Sequence, residues 1–124
     1  MRPRALVVED ESITRNLLRQ LLINSGCTVD EAVDGEQAID RLSREKYGVI
    51  LLDIVLPKLS GTDVMDYLRE HDPDSLERVI VVTGLNVEEI RTLFPTVCHA
   101  LGKPVIPNRL LASVQKCLAM QSAV

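Results

Sequence analysis

Four short apolar runs in this chain each stop at a residue that carries chemistry. Ala5–Val8 runs into Glu9-Asp10, Val49–Leu52 into Asp53, Val79–Val82 into Thr83, and Val97–Leu101, after Gly102, into Lys103. Between these runs lie stretches whose apolar residues recur at helical spacing, so the chain reads as repeated βα units. Val49–Leu52 has no polar position at all. A strand without a polar face is covered on both sides, which requires helices on both faces of the sheet. With right-handed crossovers the expected architecture is an α/β doubly wound parallel sheet in the order βαβαβαβαβα. In such sheets the crevice beyond the carboxyl ends of the strands binds ligands, and the four strand-end positions converge there.

The helices can be placed from their stripes and their stops. The first is expected to turn Ile13, Leu17, Leu18, Leu21 and Leu22 inward and to end at Ser25-Gly26, where glycine can take a left-handed cap. Thr28–Val33 reads as a half-exposed second strand. Asp34-Gly35 leads into a second helix facing the core with Ala38, Ile39 and Leu42, and Ser60-Gly61 opens a third with Val64, Met65 and Leu68 inside. Asp72-Pro73-Asp74-Ser75 ends that helix. Asn86 and Glu89 have capping-box spacing, while Pro95 limits the fourth helix to about two or three turns. Pro107 suits the first turn of the last helix, whose stripe of Leu110, Leu111, Val114, Cys117 and Leu118 docks it on the sheet.

Composition removes several classes of function. The chain of 124 residues suits one domain spanning 1–124. Its net charge of −4, the lack of a basic cluster and an aromatic content of 2% argue against direct binding of nucleic acid. No stretch approaches the roughly 18 apolar residues of a membrane helix, and Met1-Arg2-Pro3-Arg4 leads into too short a run for a signal peptide, so a cytoplasmic protein is expected. Cys27, Cys98 and Cys117 are odd in number and lack Cys-x-x-Cys spacing; they read as buried free thiols, with neither a disulfide nor a zinc site indicated. His71 and His99 have no partner spacing, and Tyr67 and Phe94 read as packing residues.

Three carboxylates brought within a few ångströms repel one another unless a cation intervenes. Oxygen donors without imidazole or thiolate select a hard ion, and Mg2+ suits a site offering one or two direct carboxylates. Lys103 adds a second positive charge. A carboxylate surrounded by a divalent ion, an ammonium and the Thr83 hydroxyl is suited to accept a phosphoryl group, with Asp53 as nucleophile. Singly, each residue has a plainer role: Glu9-Asp10 as a helix-capping strand end, Asp53 as a turn aspartate, Thr83 as a strand-end cap, Lys103 as a surface lysine. Their joint placement favours the chemical reading.

Val7-Val8-Glu9-Asp10-Glu11, Leu52-Asp53-Ile54-Val55-Leu56-Pro57 with Gly61, Val82-Thr83-Gly84 and Lys103-Pro104 together resemble the receiver domain of response regulators in two-component signal transduction, over essentially the whole chain. The resemblance implies a flavodoxin-like fold, (βα)5, with strand order 2-1-3-4-5. It implies that Asp53 is phosphorylated from a phosphohistidine of a histidine kinase, that Asp10, Asp53 and the Val55 carbonyl ligate Mg2+, and that Glu9 holds the ion through water. It gives Thr83 and Lys103 to the phosphoryl oxygens, a cis bond to Lys103-Pro104, and room beside the phosphate to Gly84. The family's aromatic residue three positions before the lysine is here Ala100, so the signal is expected to leave through a shift of Gly84–Phe94 without an aromatic rotamer switch. Val55 and Leu85 fill the positions that tune hydrolysis, and as apolar side chains they predict slow self-dephosphorylation. The implied partners are a sensor histidine kinase or a histidine phosphotransferase and a downstream protein, with a homodimer also open to it. Two other classes are distinguishable: an aspartyl-phosphate hydrolase, which would need an acid where Val55 stands, and a passive interaction module, against which Asp53, Thr83 and Lys103 argue.

Overall fold

The computed structural model describes residues 2–122. Five strands, β1 (Arg4–Val8), β2 (Thr28–Ala32), β3 (Val49–Leu52), β4 (Val79–Thr83) and β5 (His99–Gly102), alternate with helices α1 (Ser12–Asn24), α2 (Gly35–Arg44), α3 (Gly61–His71), α4 (Val87–Leu93) and α5 (Pro107–Ser122). The strands form one parallel sheet in the order β2-β1-β3-β4-β5, the flavodoxin-like arrangement expected from the resemblance. Register aligns the strand ends: Val8 pairs with Ala32 and Leu52, Leu52 with Val81, and Thr83 with Gly102. Glu9, Asp53, Thr83 and Lys103 therefore leave the sheet at one rim.

Alternate residues of the central strands feed two apolar layers. Leu6, Val8, Ile50, Leu52, Val79 and Val81 pack beneath α2, α3 and α4 through Ala38, Val64, Met65, Leu68, Ile90 and Phe94. Ala5, Val7, Val49, Leu51, Ile80 and Val82 pack beneath α1 and α5 through Leu18, Leu22, Leu110, Val114 and Cys117. Burying a Leu or Ile side chain is worth about 1.5–3 kcal/mol, so these two layers hold the rim in place. Local caps agree. Asp34 accepts the Gln37 N–H, and Ser60 and Asp63 form a reciprocal capping box at the start of α3. Asn86 accepts the Glu88 and Glu89 N–H groups, and α4 is short, as Pro95 requires.

Two readings of the sequence need correction. Ile13 and Leu17 do not face inward: they are 81% and 40% exposed, while Leu18 and Leu22 carry the buried stripe with Leu21 at its margin. At about 100° per residue, Ile13 and Leu17 sit roughly 100–140° around the helix from Leu18, so an inward Leu18 turns them to solvent. Cys98 and Cys117 are not free thiols but a disulfide, with Cα atoms 6.2 Å apart, within the span that such a bridge needs. The two are 19 residues apart in the chain, and only the docking of α5 against the start of β5 brings them together. Cys27 is the buried free thiol. Asp72 ends α3 as expected, and a short 3-10 helix follows over Pro73–Arg78, with Pro73 in its first turn.

Candidate functional site

Each acidic residue is delivered by the end of a central strand and fixed by the loop that follows. Glu9 is 1% exposed; its Oε2 accepts the Glu11 N–H at 3.2 Å, and its Oε1 lies 2.6 Å from Lys103 Nζ. Asp53 is 5% exposed; Oδ1 accepts the Val55 N–H at 3.1 Å and Oδ2 accepts from Lys103 Nζ at 2.9 Å. Asp10 is exposed at the mouth. One carboxylate oxygen from each of Glu9, Asp10 and Asp53 lies within 4.8 Å of the other two. The structure thus brings together the three acids and the lysine that the sequence singles out.

Thr83 ends β4 on the same rim. It is buried, its Oγ1 accepts the Leu85 N–H at 3.2 Å, and its carbonyl accepts the Lys103 N–H at 2.8 Å, which ties the end of β4 to the residue that carries the ammonium. The Lys103-Pro104 peptide is cis. Beside Thr83, a Cβ placed on Gly84 would meet nothing within 4 Å, so the space there is open. Gly61 is the opposite case: a Cβ there would lie 2.5 Å from the Asp53 carbonyl oxygen and from Ile54 Cα. The start of α3 can approach the Asp53 loop this closely only with glycine at that position. Val55 and Leu85 stand 59% and 47% exposed at the mouth.

Electrostatics couple these groups. Burial pushes the Glu9 carboxyl above its ordinary pKa, the charge of Asp53 adds to that, and Lys103 and the Glu11 N–H counter it. For Lys103, burial works to lower the pKa, and the hydrogen bonds and charges of Glu9 and Asp53 outweigh it, holding the ammonium above its ordinary range. One cation is thus shared by two buried acids, with Asp10 left over. All the free donors are carboxylate oxygens, the set that a hard divalent ion takes, so the residues fit Mg2+.

Arg15 was not foreseen. One turn into α1, its guanidinium donates to the carbonyls of both Glu9 and Asp10, at 3.1 and 3.2 Å. Those bonds hold the backbone of the acidic loop toward α1 while the carboxylates face the pocket. From Lys103 an open groove of about 420 Å³ runs past Glu11, Thr14, Leu17, Pro104 and Val105.

A family model for the response regulator receiver domain matches residues 5–115. The chain belongs to this family. Its receiver fold is close to that of a signal receiver domain from Vibrio parahaemolyticus, with a TM-score of 0.88 at 31% identity over 98% of this chain and 94% of that one. It is also similar to the response regulator TrrA of Thermotoga maritima, solved in complex with Mg2+-BeF, with a TM-score of 0.83 at 28% identity over 94% and 99% of the two chains. Among curated relatives, the transcription factor SKN7 of Candida albicans is 33% identical over 116 residues, 91% of this receiver but 20% of that protein. The chain therefore spans only a fifth of that relative's length. Among the described residues, no helix is long and apolar enough to cross a membrane.

Proposed function

We propose that this receiver takes a phosphoryl group onto Asp53 from the phosphohistidine of a sensor histidine kinase or a histidine phosphotransferase, and that the acyl phosphate alters its contacts with a downstream protein. One observation carries the reading: the Asp53 carboxylate is held between the Val55 N–H and the Lys103 ammonium, beside two further acids. In the transfer an Asp53 oxygen forms the O–P bond as the N–P bond of the donor breaks, and the leaving imidazole keeps the electron pair and takes up a proton. Lys103, already on Asp53 Oδ2, moves to an incoming phosphoryl oxygen, and the Thr83 hydroxyl donates to another. Asp10, Asp53 and the Val55 carbonyl would hold Mg2+ directly and Glu9 through water; the ion would supply neutralisation of the phosphoryl charge. Exposed Leu17 lines the groove that leads to Lys103, a suitable seat for the helix that presents a donor histidine. A histidine kinase as donor places the reaction in the cytoplasm, and residues 1–124 act as one receiver unit.

The test is incubation with Mg2+ and acetyl phosphate, followed by intact and peptide mass spectrometry. Stable addition of one phosphoryl group at Asp53, lost in Asp53→Asn with the fold retained, is the expected result. Rapid turnover without accumulation would indicate a hydrolase instead. No addition by a folded protein would indicate a passive interaction module.

A further inference from the structure

The Cys98–Cys117 bridge lies at the other end of β5 from Lys103 and plays no part in the phosphoryl site. Its two sulfurs have unequal surroundings. Cys117 is 1% exposed, in the apolar layer with Ile80, Leu110 and Val114. Cys98 is partly exposed and lines an open groove of about 380 Å³ formed with Arg91, Phe94, Pro95, Val97 and His99. Cys98 is also anchored at its backbone, donating its N–H to the Val79 carbonyl at 2.8 Å. One cation, Arg91, lines the same groove. Glu88 lies against Arg91 at 3.5 Å and offsets part of that charge. An accessible sulfur beside a cation, linked to a buried one, is the arrangement in which thiolate chemistry is directed to one member of the pair.

We propose that Cys98–Cys117 is a thiol–disulfide exchange site, attacked at Cys98 through this groove by a dithiol reductant, and that its redox state sets how firmly α5 is held against β5. The thiolate of the reductant forms a bond to Cys98 Sγ as the Sγ–Sγ bond breaks, and Cys117 leaves as a thiolate and takes a proton. The second thiol of the reductant then displaces Cys98, so the reductant ends as a disulfide and the protein gains two thiol protons. Arg91, in the same groove, favours both the approach of the anionic nucleophile and the departure of Cys98 as a thiolate. The opened pair removes the covalent tie between α5 and the start of β5, and the surface shared by α4, β5 and α5 loosens. This input enters at the opposite end of β5 from the phosphoryl site.

Cys27 supplies an internal clock, because it is a free thiol only 2% exposed and becomes reactive only when the fold opens. The intact chain is treated with dithiothreitol under native conditions, alkylated at intervals and analysed by mass spectrometry. Cys98 is expected to label at least tenfold faster than Cys27, and oxidised glutathione is expected to restore the bridge. Hydrogen exchange in residues 107–120 should quicken in the reduced form, and Arg91→Glu should slow reduction about three- to tenfold. Labelling of Cys98 at the rate of Cys27 would show a structural staple opened only by unfolding and would overturn the proposal. So would a reduced pair that oxidised glutathione does not close, or unchanged exchange in α5.

Discussion

Lys103→Met removes the cation shared by Glu9 and Asp53 while keeping most of the side chain's length. At an effective dielectric of about 20, contacts of 2.6 and 2.9 Å each carry roughly 6 kcal/mol of Coulomb energy before desolvation is counted. Desolvation of the three groups offsets most of that, and breaking a buried pair by removing one partner costs about 3–5 kcal/mol. Lys103 keeps 26% of its side chain in solvent, which screens it, so the expected loss at neutral pH without metal is about 2–3 kcal/mol. That corresponds to roughly 8–12 °C in Tm for a chain of this size. The pH dependence has a definite sign. A carboxyl such as Glu9, raised above its value of 4.5, contributes stability at low pH that is lost as pH climbs through its folded pKa, and losing Lys103 raises that pKa further. An ammonium raised above 10.5 contributes stability below that pH and loses it above. The deficit of the variant should therefore open above about pH 4.5, persist through neutrality and close in strong alkali. Thermal melts followed by circular dichroism, at about pH 4 and pH 7.5 and with and without Mg2+, read this directly, and Mg2+ should stabilise the variant more than the wild type. Equal melting temperatures at neutral pH would refute the reasoning. A deficit unchanged across pH would do the same, because it would mark lost packing rather than unpaired acids.

The Arg15 clamp predicts that Arg15→Met and Arg15→Lys both weaken Mg2+ binding about tenfold in an amide-resolved NMR titration, since groups that orient ligands typically cost 10–100-fold when lost; a lysine variant with wild-type affinity would show that charge alone matters. Val55→Asn places an amide where an exposed valine now stands and should hasten loss of label from phosphorylated protein roughly three- to tenfold, well under the about 10²-fold of a full general base. Gly61→Ala drives a Cβ against the Asp53 and Ile54 backbone and should cost at least about 2 kcal/mol in urea unfolding, along with a lower rate of phosphorylation. Comparison of free and beryllofluoride-treated amide spectra should show shifts in Gly84–Phe94; a segment that stays still would remove the expected signalling route.

What could be read from the chain, and what could not, divides along physical lines. The strands were legible because Val49–Leu52 and Val79–Val82 are apolar at every position, and the rim was legible because a parallel sheet leaves little freedom in where strand ends meet. Strand order came from the family likeness, as no residue in the sequence states which strand pairs with which. Ile13 and Leu17 were misplaced because five apolar residues crowd α1 and the helical period alone does not choose the centre of the stripe. Only the packed partners choose it: Leu18 and Leu22 meet the layer shared with Leu110 and Val114. The Cys98–Cys117 bridge joins residues that no local pattern relates, so it emerges only from the docking of α5. Arg15 escaped notice for a similar reason, because its partners are backbone carbonyls and backbone carries no sequence signal.

β5 connects the two chemistries. Cys98 precedes it, Lys103 follows it, and only His99–Gly102 lies between. In its middle, Ala100 is 2% exposed and belongs to the same apolar layer as Ile90 and Phe94 of the α4 region. A methyl group offers no ring to swing when Thr83 is drawn toward a phosphoryl group, so displacement at the rim has to pass through main chain. The route exists: the Thr83 carbonyl binds the Lys103 N–H, and Val81 and Val82 pair with Ala100 and Leu101 along the ladder. A bridge fixing the start of this strand to α5 stiffens the element along which such a shift would travel. The wild-type chain in its reduced form should accordingly show larger beryllofluoride-induced amide shifts along β5 and α5 than in its oxidised form, and equal shifts in the two forms would mean that the two ends of the strand act independently.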